Sequence, residues 1–310
     1  MSKDLIVLPK HLLCEKIVVA IVQINFRLDE KGNPTHYGYK KLEDLDDKLA
    51  FLLNNIKETI PRPDIVIFPE YSIPRERLEL LEKFAIQNSI LIIAGSHHDP
   101  ETLENVCPVI IPGMQTQYCK KKFVNYTERY VKSSNEAGKI FVWKVDNNEF
   151  SFQVFLCSDY LHTSLRREIN IDADRTGLII VPMNTANIVD YYNLANLHLM
   201  DAKGKLIFLC NACGVTIKQR LRACGQSAIF GSYDNARRYF PVNGGKKQYA
   251  SSLGELEGLI LSEIDLLEPV IVKRQRTSFS TRIFRPPVRI LSVKILKEQK
   301  QAVNNCKLGS

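Results

Sequence analysis

The chain has 310 residues, of which 45% are hydrophobic, and a formal net charge of +8 at pH 7. This length and composition allow a substantial core, in one large domain or two small ones. The sequence has no run of about 18 apolar residues, which excludes a membrane-spanning helix of the usual kind. The apolar patch near the start is interrupted by charge and lacks the pattern of a secretion signal, so we expect a cytoplasmic protein.

The eight cysteines lie mostly within apolar runs such as FQVFLC and LIFLCNAC. Small buried thiols are common in such runs, so the pattern favours reduced cysteines over a disulfide framework. Cys210 and Cys213 form a C-x-x-C with Cys224 nearby, but no matching second pair follows, and zinc is disfavoured. His97 and His98 are adjacent and would point in opposite directions on a strand. We therefore expect no metal and no cofactor.

Basic residues are dispersed in pairs, with one denser stretch, KRQR, at 273–276. Such runs usually form a solvated face of the protein. Binding to nucleic acid is the alternative, and it is not favoured.

Strands and helices alternate in the first half of the chain. In chain order, the predicted elements are a strand in KIVVAIVQINF, a helix from Leu42 to Ile60 that Pro61 stops, a strand in DIVIFPEYSIP, a helix in RERLELLEKFAIQNS, and strands in SILIIAGSHHD, NVCPVIIPG and TQYCKKKF. Continuous apolar runs indicate the strands, and apolar residues at helical spacing indicate the helices. Alternation followed by successive strands predicts a mixed sheet.

The second half of the chain repeats this pattern. It predicts a strand in EFSFQVFLCSDY, a charged helix or turn in RREINIDADRTG, a strand in LIIVPMN, a helix in VDYYNLANLHLMDAKG, and strands in KLIFLCNACG, GQSAIFG and EGLILSEIDL. Two similar half-chains predict an α/β fold, a four-layer α-β-β-α sandwich of two mixed sheets with helices on both outer faces. We expect an N-terminal arm at 1–15, one domain at 16–295, and a polar, flexible tail at 296–310.

Two predicted strands end in residues that could take part in catalysis. Glu70 follows the apolar run IVIF, where a carboxylate needs a partner because its desolvation is costly. Cys157 follows FQVFL, and a bend there would free the backbone N–H of Ser158 to bind an oxyanion. Each residue alone has a plain structural interpretation, as a loop carboxylate bonded to backbone or as a buried thiol.

A third predicted strand ends in the lysine run of YCKKKF. Alternation along a strand sends Lys120 and Lys122 to one side and Lys121 to the other. Adjacent lysines usually form an exposed edge that blocks further strand pairing. An acid, a lysine and a cysteine at three strand ends nevertheless favour a shared site.

Together these motifs resemble those of the nitrilase, or carbon–nitrogen hydrolase, superfamily. DIVIFPEYSIP resembles that family's hydrophobic-Pro-Glu strand end, KKKFVNYTE its lysine motif, and FLCSDY its Cys-x-Asp strand end. The resemblance implies Glu70 as general base, Lys120 as the cation that stabilises the oxyanion, and Cys157 as nucleophile. It also implies Glu128 as an accessory acid and the backbone N–H of Ser158 as a second oxyanion donor.

Weaker landmarks extend the resemblance over about residues 16–270. They include Gln23 in the opening strand, and Asn211 and Gly214 in an Asn-x-x-Gly strand end. The chain departs from the family after Cys-x-Asp, where it reads YLHT, and in the helix before LIFLCN, which contains LMDAK in place of an Arg-Ala-x-Glu-Asn pattern. Those positions shape the pocket, so the resemblance does not identify the substrate.

The resemblance implies hydrolysis of a non-peptide C–N bond through a thioester, with release of ammonia or an amine. The Ser-Asp that follows Cys157 is similar to the amidase and carbamoyl-hydrolase side of the family, so the expected substrate is a small linear amide or ureido compound rather than a nitrile. The family also implies a homo-oligomer, a dimer or larger. The alternative is a nitrilase-like domain with altered catalysis that acts as a binding or regulatory module, within a larger nucleic-acid-associated or defence protein.

Overall fold

A computed structural model describes most of the chain. The described residues are 4–9, 12, 15–26, 28–31, 36–39, 42–124, 128, 131–145, 148–162, 177–200, 206–214, 216–217, 220–221, 223–231, 249–250, 253–266, 270–272, 283–285 and 288–296. The KRQR stretch at 273–276, the charged helix or turn expected at 166–176, and the tail from 297 to 310 lie outside the described residues. The predictions for them stay predictions.

Four α-helices are described, together with a 3-10 turn at Arg75–Arg77. They are α1 (Leu42–Lys57), α2 (Leu78–Asn88), α3 (Ser158–Leu161) and α4 (Val189–Met200). The predicted long helices are thereby confirmed, although α1 ends earlier than the predicted Ile60. Among the described residues, no helix is long and apolar enough to span a membrane.

The strands are numbered here in chain order. They are β1 (Asp4–Val7), β2 (Lys16–Gln23), β3 (Leu28–Lys31), β4 (His36–Tyr39), β5 (Ile65–Ile67), β6 (Leu91–Ile93), β7 (His97–His98), β8 (Asn105–Ile110), β9 (Gln117–Lys120), β10 (Lys139–Val145), β11 (Asn148–Val154), β12 (Leu178–Met183), β13 (Leu206–Asn211), β14 (Thr216–Ile217), β15 (Arg220–Leu221), β16 (Ala228–Phe230), β17 (Tyr249–Ala250), β18 (Gly258–Asp265), β19 (Val270–Val272), β20 (Ile283–Arg285) and β21 (Val288–Ile295).

Most of these strands form two large mixed sheets. The eight-stranded sheet has the order β21-β18-β2-β5-β6-β8-β7, with β9 also paired to β8, and the seven-stranded sheet has the order β1-β10-β11-β12-β13-β16-β17. The centres are parallel, at β2-β5-β6 and at β11-β12-β13, whereas the flanking pairs are mostly antiparallel. Three two-stranded sheets, β3-β4, β14-β15 and β19-β20, are not hydrogen-bonded to the large sheets.

The residues of each central strand alternate between two apolar layers, because successive side chains on a strand point to opposite faces. On β2, Val19 and Ile21 lie in the core between the two sheets, whereas Ala20 and Val22 pack in the layer beneath α1 and α2. The outward residues of β12 and β13 pack against α4 in the same way. The layers therefore run α-β-β-α, which confirms the predicted architecture.

Four strands of the two large sheets were not predicted, namely β1, β10, β17 and β21. β1 lies within the segment expected to be an arm, yet it pairs in parallel with β10, so that part of the arm belongs to the seven-stranded sheet. β10 contains the buried apolar run IFVW. It lies between β1 and β11 and is therefore an interior strand of that sheet. β21 is mostly exposed and lacks the continuous apolar run that marks the central strands, which is why its sequence gave little signal.

Candidate active site

Three chain segments converge where the two sheets face each other. Glu70 follows β5, Lys121 follows β9 directly, and Cys157 follows β11. The Lys121 Nζ lies 2.8 Å from Oε1 of Glu70 and 2.7 Å from Oε1 of Glu128. The Cys157 thiol lies beside the Glu70 carboxyl and, as a donor, lowers the pKa of that carboxyl. An acid, a cation and a thiol thus share one buried neighbourhood, with a second acid beside them.

The lysine in this cluster is Lys121, so the placement predicted for Lys120 is wrong. Lys120 instead forms ion pairs with Glu104, at 2.8 Å, and with Glu136. Its side chain is 21% exposed, whereas that of Lys121 is 2% exposed. The cation expected beside the sulfur is therefore one residue further along the chain.

The alternation of β9 explains which lysine points inward. Lys121 follows the strand on the same side as Cys119, which is buried, whereas Lys120 is on the side of Tyr118, which is 39% exposed. A one-residue change in position on a strand exchanges the two faces. The signal that separates the lysines was thus present in the sequence, in the apolar residue two positions before Lys121.

Glu70 is held by its neighbours at the end of β5. Its Oε1 accepts hydrogen bonds from Asn105 Nδ2 at 2.9 Å and from Lys121 Nζ at 2.8 Å. Burial raises the pKa of the Glu70 carboxyl, and the charge of Lys121 partly offsets that rise. Gly95 permits the close approach of the segment around Pro69, because a Cβ at position 95 would lie 2.1 Å from the carbonyl oxygen of Pro69.

Glu128 completes the ionic cluster. Its Oε1 accepts a hydrogen bond of 2.6 Å from the hydroxyl of Tyr71, the residue directly after Glu70. Burial disfavours the ammonium of Lys121, but the charges of Glu70 and Glu128 outweigh burial and raise its pKa. Lys121 therefore stays charged beside the carboxyl groups of Glu70 and Glu128.

Cys157 lies on a sharp bend between β11 and α3. Its backbone is in the left-handed region, with φ 44° and ψ −109°. Its Sγ lies 3.0 Å from the hydroxyl of Tyr191 and accepts a hydrogen bond from the backbone N–H of Asn184. Burial raises the pKa of the thiol to about 12, with a further rise from Glu70, while Lys121 and the two donors lower it. The resting sulfur is therefore a protonated thiol.

The residues after Cys157 join the bend at Cys157 to the lysine segment. The Ser158 hydroxyl donates to the Phe123 carbonyl at 2.7 Å, and the Asp159 carboxylate accepts the backbone N–H groups of Lys122, at 3.0 Å, and Phe123, at 2.7 Å. Burial raises the pKa of Asp159 to about 7, although these two bonds oppose the rise. The backbone N–H of Ser158 lies in the first turn of α3, where no intrahelical acceptor is available.

Asn211, at the end of β13, fixes the loop that carries Asn184. Its side-chain amide donates to the carbonyls of Thr185, at 2.9 Å, and Gly225, at 2.7 Å, and accepts the Thr185 N–H at 3.0 Å. Gln23 has a comparable structural role elsewhere, since it accepts the backbone N–H of Ser227 at 2.8 Å. Gln23 and Asn211, the two amides among the sequence landmarks, thus both form buried hydrogen bonds that hold neighbouring loops.

The metal sites considered from the sequence can be compared with the structure. Cys210 lies in the core between the sheets and its thiol donates to the Val22 carbonyl at 3.2 Å. Cys213 lies across a β-bridge from Cys224. Within the part of the chain that the structure describes, no three His, Cys, Asp or Glu side chains form a group that could hold a metal ion.

Comparison with known proteins finds no matching family model and no matching curated protein. Solved structures do match. Nit3 of Saccharomyces cerevisiae, a member of branch 10 of the nitrilase superfamily, is 18% identical with a TM-score of 0.58, over 83% of this chain and 93% of that one. A carbon-nitrogen hydrolase from Helicobacter pylori G27 is 15% identical with a TM-score of 0.58, over 82% and 90%. An amidase from Nesterenkonia sp. is 15% identical with a TM-score of 0.55, over 81% and 90%. The chain therefore has the fold of the nitrilase superfamily.

Proposed function

We propose that this chain is a cysteine-dependent hydrolase of a non-peptide C–N bond. Its substrate is a small linear amide or a ureido compound, and its products are an acid and ammonia or an amine. The observation that carries the proposal is the buried contact of Lys121 with Glu70 and Glu128, beside the Cys157 thiol. Acyl transfer needs a nucleophile, a base within hydrogen-bond reach of it, and a positive group for the oxyanion, and these residues supply each of them.

Acylation begins from the protonated thiol. Cys157 Sγ attacks the carbonyl carbon while its proton passes to Glu70, the carboxyl beside it. The carbonyl electrons move onto oxygen, and Lys121 and the backbone N–H of Ser158 stabilise that oxyanion. Lys121 thus takes the role that the family resemblance gave to Lys120. When the intermediate collapses, Glu70 gives the proton to the departing nitrogen, the C–N bond breaks, and a thioester remains.

Deacylation uses the same groups in reverse. Glu70 accepts a proton from water, and the resulting hydroxide attacks the thioester carbon. The C–S bond breaks, its electron pair returns to sulfur, and Glu70 restores the thiol proton. Glu128 assists by holding Lys121 in place, and Tyr71 in turn fixes Glu128 through the bond of 2.6 Å.

The substrate class rests on the Ser-Asp after the nucleophile and on the chemistry of a fold relative. A mutant of the Nesterenkonia amidase carries the acetamide moiety of fluoroacetamide at its active-site cysteine, which supports small amides and a cysteine nucleophile here. A homo-oligomeric assembly, implied by the family resemblance, and a cytoplasmic location, which the reduced cysteines favour, are further parts of the proposal.

An ammonia-release screen over small amides, ureido compounds and nitriles tests the proposal. Wild-type protein should release ammonia from an amide or ureido compound, and Cys157→Ala should release none while retaining its thermal unfolding transition. Cys213→Ala is the matched control, because it removes a buried thiol outside the cluster and should leave turnover unchanged.

Two outcomes would overturn the assignment. Equal ammonia release by Cys157→Ala would show that this thiol is not the nucleophile. No release from any compound, together with salt-dependent retention on nucleic acid, would favour the alternative of a binding module.

A further inference from the structure

The hydroxyl of Tyr191 touches the sulfur, yet no step above uses it. It lies 3.0 Å from Cys157 Sγ, and the Tyr191 side chain belongs to α4, on the outer face of the seven-stranded sheet. The residue is 4% exposed, and its ring stacks on Tyr160 with 6.4 Å between centroids. Tyr160 is itself fixed by a hydrogen bond of 2.9 Å between its hydroxyl and Nδ1 of His198. The phenol is therefore held against the sulfur by packing.

The direction of this hydrogen bond follows from the position of the thiol proton. The thiol has one proton, and its effect on the pKa of the neighbouring Glu70 carboxyl is that of a donor to that carboxyl. The O–H of Tyr191 must then be the donor to Sγ. Burial, and then the neighbouring Cys157 and Glu70, raise the pKa of the Tyr191 phenol above its ordinary value, so it keeps its proton at neutral pH. The backbone N–H of Asn184 is a second donor to the same sulfur.

We propose that Tyr191 is a further catalytic residue, whose hydroxyl stabilises the negative charge that develops on Cys157 Sγ. That charge appears twice. It forms when the thiol proton passes to Glu70 during attack, and again when the C–S bond of the thioester breaks and its electron pair returns to sulfur. A hydrogen bond to an ionised acceptor is shorter and stronger than one to a neutral acceptor, so the bond tightens when it is needed. The consequence for turnover rests on the proposed function, whereas the contact with sulfur does not.

The chain supplies a matched control one residue away. Tyr192 is on the same helix, but its hydroxyl donates to the Gln226 carbonyl at 2.6 Å. Tyr191→Phe and Tyr192→Phe therefore each remove one phenolic hydrogen bond from α4. Of the two changes, Tyr191→Phe is the one that removes the hydroxyl against the sulfur.

Alkylation of Cys157 by iodoacetamide measures the effect without a known substrate. The rate of labelling of the Cys157 peptide is followed by mass spectrometry between about pH 6 and pH 9.5 on folded protein. Hydrogen bonds to charged groups contribute about 1.5–3 kcal/mol, which corresponds to a factor of about 10 to 150. Tyr191→Phe should slow alkylation by about tenfold or more at a given pH, and the curve of rate against pH should move to higher pH. Tyr192→Phe should stay within about twofold of wild type, and kcat/KM for the hydrolysed compound should fall in parallel with alkylation.

Protein with 3-fluorotyrosine at position 191 alone provides a second measurement that keeps the hydroxyl in place. The fluorinated phenol is more acidic and hence a stronger donor, so alkylation of Cys157 should be faster than in unlabelled protein. This measurement applies even where Tyr191→Phe does not fold. An unchanged rate in both experiments overturns the proposal, and so does faster alkylation of Tyr191→Phe, which would mean that the ring only covers the sulfur.

The failure of this proposal and that of the proposed function are distinguishable. If alkylation responds to Tyr191→Phe but no amide or ureido compound is hydrolysed, the stabilisation of the sulfur stands and the hydrolase assignment fails. If hydrolysis depends on Cys157 but neither rate responds to Tyr191→Phe, the assignment stands and Tyr191 has no catalytic role.

Discussion

Substituting Lys121 by methionine should destabilise the protein far more than the same substitution of Lys120. The Lys121 side chain is 2% exposed and bridges two buried carboxylates, at 2.8 Å and 2.7 Å. Lys120 is 21% exposed and pairs with Glu104 and Glu136 nearer the surface. Methionine preserves the length and much of the volume of either lysine, so the comparison isolates the lost charge.

The expected magnitudes follow from burial. Removing one partner of a buried ion pair typically costs about 3–5 kcal/mol, because the other charge is left without compensation. Exposed pairs contribute about 0–1 kcal/mol. We therefore expect Lys121→Met to lower the free energy of unfolding by about 2–5 kcal/mol more than Lys120→Met at pH 8.

The pH dependence of this loss has a defined sign. Without the ammonium, the pKa of Glu70 rises further, because its burial and the nearby Glu128 are no longer offset. A carboxyl with a raised pKa destabilises the folded state above that pKa, and the penalty disappears as the pH falls through it. The difference between Lys121→Met and wild type should therefore shrink between pH 8 and pH 5.5.

Urea unfolding at the two pH values measures both quantities, with the slope of the transition checked for constancy. Equal losses for the two lysine variants would refute the assignment of Lys121 to the buried cluster. A loss for Lys121→Met that does not change with pH would refute the uncompensated-carboxylate explanation.

Two further changes test the supports of the site. Gly95→Ala should lower the free energy of unfolding by more than about 1 kcal/mol, because φ is +66° and the new Cβ would lie 2.1 Å from the Pro69 carbonyl oxygen; Gly254→Ala, with φ +54° and open space around the Cβ, is the control for φ alone in thermal unfolding. Asp159, whose pKa burial raises to about 7, takes up a proton in the folded state at pH values where the unfolded chain does not. Its contribution to stability is thus largest at low pH and is lost as the pH rises through about 7, so wild type should gain stability relative to Asp159→Asn between pH 8 and pH 5; a difference independent of pH would contradict the raised pKa.

The strand ends were predictable because buried strands have a strong local pattern. The apolar run before Glu70 and the run before Cys157 each mark a strand. A reactive residue that follows such a run lies just beyond the end of the strand. The lysine was misassigned because the resemblance was applied to the first residue of the run. The strand alternation around Cys119 would have selected Lys121.

Other contacts could not be read from the sequence because they depend on packing. Tyr191 and Tyr192 are adjacent and chemically identical, and the rotation of α4 against the sheet decides which hydroxyl meets the sulfur. The role of Asp159 depends on backbone N–H groups some 36 residues earlier in the chain. Similarly, β1 is short and mostly exposed, and it joins the sheet because β10 offers it an edge.

The bend at Cys157 sets stability against reactivity at a single position. A residue with a Cβ at φ 44° and ψ −109° stores strain on the order of 1–3 kcal/mol, which glycine would largely relieve. Protein engineers who want this sandwich only as an inert carrier could recover that energy with glycine at 157. A chain that retains the thiol at position 157 also retains this strain. Its free energy of unfolding is lower by that amount, and the packing of the two sheets and their helices must hold the side chain on a turn that the backbone would otherwise avoid.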